Sequence, residues 1–202
     1  RPELTAVAEM TVGALITMLR LLPQMNQAMH QKKWEKRIGT QLHEKVVAII
    51  GLGRIGQKVS RLLRPFGVKI VAVDPSLSGV IDDIPILSLE EALKSGDILL
   101  LHCSGDSVLL GEREFKIMKK GVYILNAARG GLIDEKAFLH ALESGHIAAA
   151  WIDTFSDEPY QGPLCAYEQV ILTPHIGSYT LECRRQMEME SVKNLIEGFR
   201  RA

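Results

Sequence analysis

The sequence predicts an α/β fold, an open parallel sheet with helices on both faces, on three observations. Six short apolar runs alternate with stretches of helical periodicity, the first run opens through a glycine-rich turn into a helix, and the chemically capable side chains collect just after the runs.

The elements follow in order. Residues 4–29 carry apolar side chains at helical spacing, and Pro23 suits the first turn of a second helix. Met10, Met18, Met25 and Met29 fit core or interface packing. This N-terminal helical region, residues 1–35, is expected to pair two copies of the chain into a homodimer, because its apolar stripe would otherwise face water. The first strand spans residues 46–50. The second spans residues 68–73 and ends at Asp74, and later runs at residues 98–103, 122–127, 148–152 and 170–172 complete six strands. Between the second and third strands, Ser88 with Glu91 forms a capping-box signature and Ser95-Gly96 a stop. Asp134 is a good N-cap for a helix running to Ser144, with Gly145 as terminator. A last helix from about Thr180, residues 180–202, sets Met187, Leu195 and Phe199 among charges and suits a partly buried surface position.

After the first strand comes Gly51-Leu52-Gly53-Arg54-Ile55-Gly56, a G-x-G-x-x-G turn, and Asp74 follows eighteen positions beyond Gly56. That order is a dinucleotide-binding fingerprint, so the sheet is read as doubly wound and of Rossmann type. Gly51 permits the tight turn, Gly53 lets a diphosphate approach bare backbone, and Gly56 allows close packing of helix on strand. Helix N–H groups and the macrodipole hold the negative charge. Asp74 is placed to accept hydrogen bonds from an adenosine ribose and would repel a 2′-phosphate, which favours NAD over NADP.

Composition narrows the partners. With 202 residues the chain suits one domain, and 24 basic against 24 acidic residues leave no bulk charge to recruit nucleic acid or an anionic membrane. Cys103, Cys165 and Cys183 show no metal-binding spacing and leave an odd thiol, so reduced thiols, no metal and a soluble cytoplasmic protein are expected. The apolar stretch at residues 12–22 is interrupted by Arg20 and is too short to span a bilayer. Arg1 in place of a methionine suggests an excised or processed product.

In an open parallel sheet, ligands lie beyond the carboxyl ends of the strands. Gly51, Asp74, His102 with Cys103, residues 126–129, Asp153 and His175 follow strands one to six in turn. Taken singly, Arg129 beside Gly130-Gly131 reads as a solvated loop residue, Glu158-Pro159 as a turn and His175 as a satisfied loop histidine. As a set after different strands of one edge they read as a site. By contrast His30, His43, His140 and His146 lie on helices or their flanks and read as surface or packing residues.

Four ordered stretches carry a resemblance. The glycine turn, Asn126-Ala127-Ala128-Arg129-Gly130-Gly131-Leu132-Ile133-Asp134, Asp153-Thr154-Phe155-Ser156-Asp157-Glu158-Pro159 and Thr173-Pro174-His175-Ile176-Gly177-Ser178 together resemble the successive signatures of D-isomer-specific 2-hydroxyacid dehydrogenases, over nearly the whole chain. The resemblance implies that His175 is the acid-base residue, Glu158 its carboxylate partner and Arg129 the group that binds and orients a 2-hydroxy or 2-oxo acid. It makes Arg54, Ile55, Asp74, Cys103, Ala127, Ala128 and Asp153 neighbours of NAD, with Asp153 orienting the nicotinamide amide. His102, Gly177 and Ser178 join that lining.

The chemistry is sensible independently. Oxidising a secondary alcohol requires removal of the hydroxyl proton as hydride leaves carbon, and an imidazole suits that exchange. Glu158 would favour its protonated form and fix the ring. Arg129 offers a planar fork to a carboxylate.

The resemblance also implies what is expected to be missing. Family members place a substrate-binding domain before this cofactor domain and return to it afterwards, so the chain is expected to be a single cofactor-binding domain that binds NAD but turns over substrate poorly or not at all. Substrate choice among phosphoglycerate, glyoxylate or hydroxypyruvate and D-lactate types stays open. An NAD-sensing binding protein similar to the C-terminal-binding transcriptional corepressors is the alternative of a different class. The chain departs from the family pattern at Ser104 and Asp106, where proline and threonine are more usual, so that loop is expected to be less rigid, and at Thr154, where valine is usual.

Overall fold

Val46–Ile50 (β1) pairs in parallel with Lys69–Val73 (β2) on one side and Ile98–Leu101 (β5) on the other, because the chain crosses over one face, returns, and then winds across the opposite face. Val122–Asn126 (β6), Ile147–Ile152 (β7) and Val170–Leu172 (β8) extend the sheet, giving the all-parallel order β2-β1-β5-β6-β7-β8. The direction of winding therefore reverses between β1 and β5, the crevice where open sheets of this kind take ligands. The computed structural model describes residues 2–105 and 107–201, leaving aside the side chains of Pro2 and Arg201. The expectations attached to Arg1 and Asp106 lie outside the described residues.

Alternate residues of each strand feed different cores. Val47, Ile49, Ile98, Leu100, Ala149 and Trp151 pack beneath Pro2–Leu19 (α1) and Arg54–Leu63 (α3), while Ala48, Ile50, Leu99, Leu101, Ala150 and Ile152 pack beneath Leu89–Ser95 (α4), Glu112–Ile117 (α5) and Glu135–Glu143 (α6). Burial on both faces explains why the strands read as continuous apolar runs without polar alternation. α1 is itself sunk into the molecule, with Ala8, Leu15, Met18 and Leu19 buried against α3 and β7. The exposed stripe expected on it is absent, because the domain's own core covers those residues. Exposed apolar side chains include Leu22 and Met29 on Leu22–His30 (α2), Trp34 and Ile38 on the arm after it, and Met187, Leu195 and Phe199 on the C-terminal helix, which were expected to be partly buried. No single helix among the described residues is long and apolar enough to cross a membrane.

The predicted caps hold. Ser88 Oγ accepts from Glu91 N while Glu91 Oε2 accepts from Ser88 N, and Asp134 Oδ1 accepts from Ala137 N. Pro23 stands in the first turn of α2 after Leu21 breaks the helix with φ 52°. The final helix runs Leu181–Arg201 (α7). The small antiparallel hairpin of Val80–Ile81 (β3) and Ile84–Pro85 (β4) was not foreseen. Its turn is Asp82-Asp83 at φ 49° and 63°, a left-handed pair that aspartate tolerates without glycine.

Candidate active site

The glycine turn is built by three different constraints. Gly51 has φ +99°, and a β-carbon there would lie 2.6 Å from Cys103 N, so the ends of β1 and β5 meet through bare backbone. A β-carbon on Gly56 would lie 2.2 Å from the Gly51 carbonyl oxygen, which presses α3 onto the strand. At Gly53 a β-carbon would meet no protein atom within 4 Å. The turn thus presents an open face at the α3 N-terminus, whose first turn holds no acidic residue. A bare, positively polarised cradle is what a dinucleotide diphosphate requires, and these residues fit it. Arg54 is exposed and Ile55 half-buried at the same helix start.

Gly51, Gly53, Asp74, His102 and Cys103 line one cleft of about 600 Å³ with Ser76, Leu109 and Leu132. Asp74 is held in place, not free: Oδ2 accepts from Leu52 N at 3.0 Å and Oδ1 from Ser76 N and Oγ. The Ser76 hydroxyl, aided by these backbone N–H groups and against some burial, holds the carboxyl below its ordinary range, so the cleft lip stays negative. β5 stops at Leu101 rather than running to Cys103. His102 N still donates to Ile50 O at 2.8 Å, and the chain then turns under Gly51. Both ring nitrogens of His102 are shut from solvent, and burial pushes the imidazole down to about 4, so it is neutral at physiological pH. Burial pushes the Cys103 thiol up, which keeps it protonated.

β6 ends at Asn126 because its side chain folds the next turn. Oδ1 accepts from Ala128 N at 3.0 Å and Nδ2 donates to Arg129 O at 2.9 Å. Ala127 is half-buried, Ala128 buried and Arg129 exposed, its Nη1 donating to Ala128 O at 2.7 Å.

His175 and Glu158 are in direct contact, with Nδ1 3.0 Å from Oε2. An ionised carboxylate only accepts, so Nδ1 carries hydrogen and Nε2 is left for proton exchange. Glu158 Oε1 accepts from Phe155 N at 3.0 Å. That N–H first, and His175 second, hold the Glu158 carboxyl below its ordinary range despite slight burial. His175 has φ 53°, a left-handed conformation costing about 1–2 kcal/mol for a side chain with a β-carbon.

Asp153 bonds to the turn that carries this residue. It is 1% exposed, and its oxygens accept from Ile176 N at 2.9 Å, Gly177 N at 2.8 Å and the Thr173 hydroxyl, which also accepts from Trp151 Nε1. The carboxylate therefore ties the His175 turn to the end of β7 through three donors. Gly177 is buried over it, with room for a β-carbon limited to 3.0 Å from Asp153 Oδ2, and Ser178 is half-buried beside it. Ser76 is a supporting residue that sequence reasoning missed, while Asn126, Phe155 and Thr173 lay within the recognised stretches without an individual part.

Beyond the pair lies a concavity of about 510 Å³ bordered by Phe155, Pro159, Tyr160, Cys165 and Pro174. Among the described residues no group of His, Cys, Asp or Glu is arranged to hold a metal ion.

Comparison with known proteins gives the family and the fold. Residues 12–177 match the family described as D-isomer specific 2-hydroxyacid dehydrogenase, NAD binding domain. The chain is 37% identical over 188 residues to a D-3-phosphoglycerate dehydrogenase of Sus scrofa, covering 89% of this chain and 35% of that protein. Among solved structures, a glyoxylate reductase from Paecilomyes thermophila superposes with TM-score 0.87 at 33% identity, covering 96% of this chain and 62% of the other. A D-lactate dehydrogenase from Escherichia coli gives TM-score 0.88 at 29% identity, covering 98% and 66%. The chain spans about a third of the length of the curated relative.

Proposed function

The chain belongs to the D-isomer-specific 2-hydroxyacid dehydrogenase family, as an NAD-binding domain, and on that premise we propose that it serves an enzyme moving hydride between NAD(H) and a D-2-hydroxy or 2-oxo acid. The observation that carries this reading is the 3.0 Å contact of His175 with Glu158 on the same sheet edge as the glycine cleft.

Each group has a part. The Gly53 face and the α3 N–H groups hold the diphosphate, and Asp74 meets the adenosine ribose and disfavours a 2′-phosphate. When bound, the nicotinamide supplies or accepts the hydride. His175 Nε2 gives a proton to the forming alkoxide in reduction or removes it in oxidation, while Glu158 stabilises the imidazolium. Arg129, exposed at the strand end, pairs with the substrate carboxylate.

The relatives' names span phosphoglycerate, glyoxylate and D-lactate chemistry, and the domain's residues suit any of them. The test is NADH oxidation with a panel of 2-oxo acids by the full-length protein, beside His175→Ala. Turnover with one or more acids, reduced about 10²- to 10⁴-fold by the substitution with NADH affinity retained, is expected. No turnover on the whole panel, or full activity in the variant, overturns the reading.

A homodimer is proposed as well, supported by Trp34 and Ile38, which are 79% and 98% exposed on the arm after α2. Sedimentation showing only monomer at high micromolar concentration overturns it. The free thiols of Cys103, Cys165 and Cys183 support a reducing, cytoplasmic setting.

A further inference from the structure

We propose that Tyr160 is a positioning residue for the acid-base pair: it anchors Phe155, whose backbone N–H fixes Glu158 against His175. The inference rests on the dehydrogenase reading for its kinetic consequence and on this chain's contacts for its geometry.

Glu158 sits on an irregular loop between β7 and a short 3-10 turn at Pro163–Ala166, with its side chain 39% exposed. Nothing in regular secondary structure holds it. Its fixed oxygen is Oε1, which accepts from Phe155 N at 3.0 Å. Phe155 is gripped from two directions. A β-carbon on Gly130 would fall 1.8 Å from the Phe155 carbonyl carbon, so the turn carrying Arg129 lies directly against this backbone. On the other side the Phe155 ring stacks on the Tyr160 ring, centroids 4.3 Å apart and planes 18° from parallel.

Tyr160 is in turn tied at its hydroxyl end. Its hydroxyl donates to Glu135 Oε2 at 2.7 Å in the first turn of α6 and accepts from Leu164 N at 3.1 Å. Gly162 lies so close that a β-carbon would be 2.4 Å from the ring. Burial, with the Glu135 carboxylate adding to it, pushes the phenol up to about 12, which keeps the hydroxyl a donor. A continuous strut thus runs from α6 through Tyr160, Phe155 and Glu158 to His175. Because the Arg129 turn meets the same strut at Phe155, one aromatic contact sets the spacing of the groups assigned to substrate and to proton.

Two substitutions separate its parts. Tyr160→Phe keeps the stack and removes both hydroxyl hydrogen bonds, whereas Tyr160→Leu removes the stack too. In the full-length enzyme reducing its best 2-oxo acid, kcat is expected to fall about threefold to tenfold in the first variant and further in the second, the range that one or two net hydrogen bonds command. KM for NADH stays within about twofold, since the glycine cleft is untouched. The acid limb of the kcat/KM profile moves to higher pH, because a Glu158 without the Phe155 N–H is protonated more readily. Independently of activity, carbon NMR of the Glu158 carboxyl in the 202-residue chain should show it titrating at higher pH in both variants. Unchanged titration of Glu158 and an unchanged pH profile, with only thermal stability lost, overturn the proposal and leave Tyr160 a structural residue. Should Tyr160→Leu not fold, Tyr160→Phe alone decides. A wild-type enzyme inactive on every acid refutes the dehydrogenase reading, while the NMR shift still judges the strut.

Discussion

Gly177 N donates to Asp153 Oδ2 at 2.8 Å, so a buried carboxylate at the end of β7 holds the turn that presents His175. A carboxylate can accept from Ile176, Gly177 and Thr173 together, and a carboxamide cannot. Asp153→Asn turns one amide donor toward another donor, at a cost of about 1–3 kcal/mol in urea unfolding. Release of the strained His175 turn is expected to lower kcat about a hundredfold, the usual effect of displacing a catalytic group by an ångström. Wild-type kcat in this variant would show that the turn holds itself.

The three glycines of the turn should answer differently to alanine. At Gly53 a methyl group meets no protein atom, so Gly53→Ala is expected to cost no more than about 1 kcal/mol of stability, the scale of an N-cap change, while sharply weakening NADH binding. Gly56→Ala drives a methyl into the Gly51 carbonyl and is expected to cost about 1–3 kcal/mol. Calorimetry for stability and fluorescence titration for NADH distinguish the two, and equal effects on both readouts would refute the division of labour.

Asp74 is predicted to set cofactor choice. Asp74→Ala removes the negative lip and the partner of Leu52 N, so NADH affinity should drop about tenfold, or about 1.4 kcal/mol. NADPH affinity should fall less or rise, narrowing the preference. Dissociation constants for both cofactors check this, and an unchanged ratio counts against it.

His102 predicts a pH window. Its folded value near 4 lies below the ordinary 6.5, so between these pH values the unfolded chain binds more protons. Stability is therefore complete above pH 6.5 and drains away as pH falls toward 4, by up to about 3 kcal/mol from this group. His102→Gln should flatten that part of the curve in urea titrations at several pH values. A parallel loss in variant and wild type would mean that other groups govern acid sensitivity.

What the sequence disclosed was whatever chemistry repeats locally. The six strands, the glycine turn and the caps at Ser88 and Asp134 were legible because each is written within a few residues. The pairing of Glu158 with His175 was legible because both follow strands of one edge and lie in recognisable signatures. Asp153 was legible as a strand-end carboxylate, but its hold on the His175 turn was not, since the three donors that bond to it come from residues 20 to 24 positions away. Tyr160 gave no sign for the same reason: Glu135 approaches it only after α6 has packed. The hairpin at Val80–Pro85 went unread because an Asp-Asp turn lacks the glycine that usually marks one.

The division of every central strand between two cores has a consequence for how this domain can vary. Val47 and Ile49 belong beneath α1 and α3, Ala48 and Ile50 beneath α4 and α5, and Ile98 to Leu101 divide in the same way. One inserted or deleted residue inside such a strand would exchange the two sets wholesale, seating bulky groups where alanine fits and opening voids opposite. Length changes among natural variants should therefore fall in the connections and almost never within the strands.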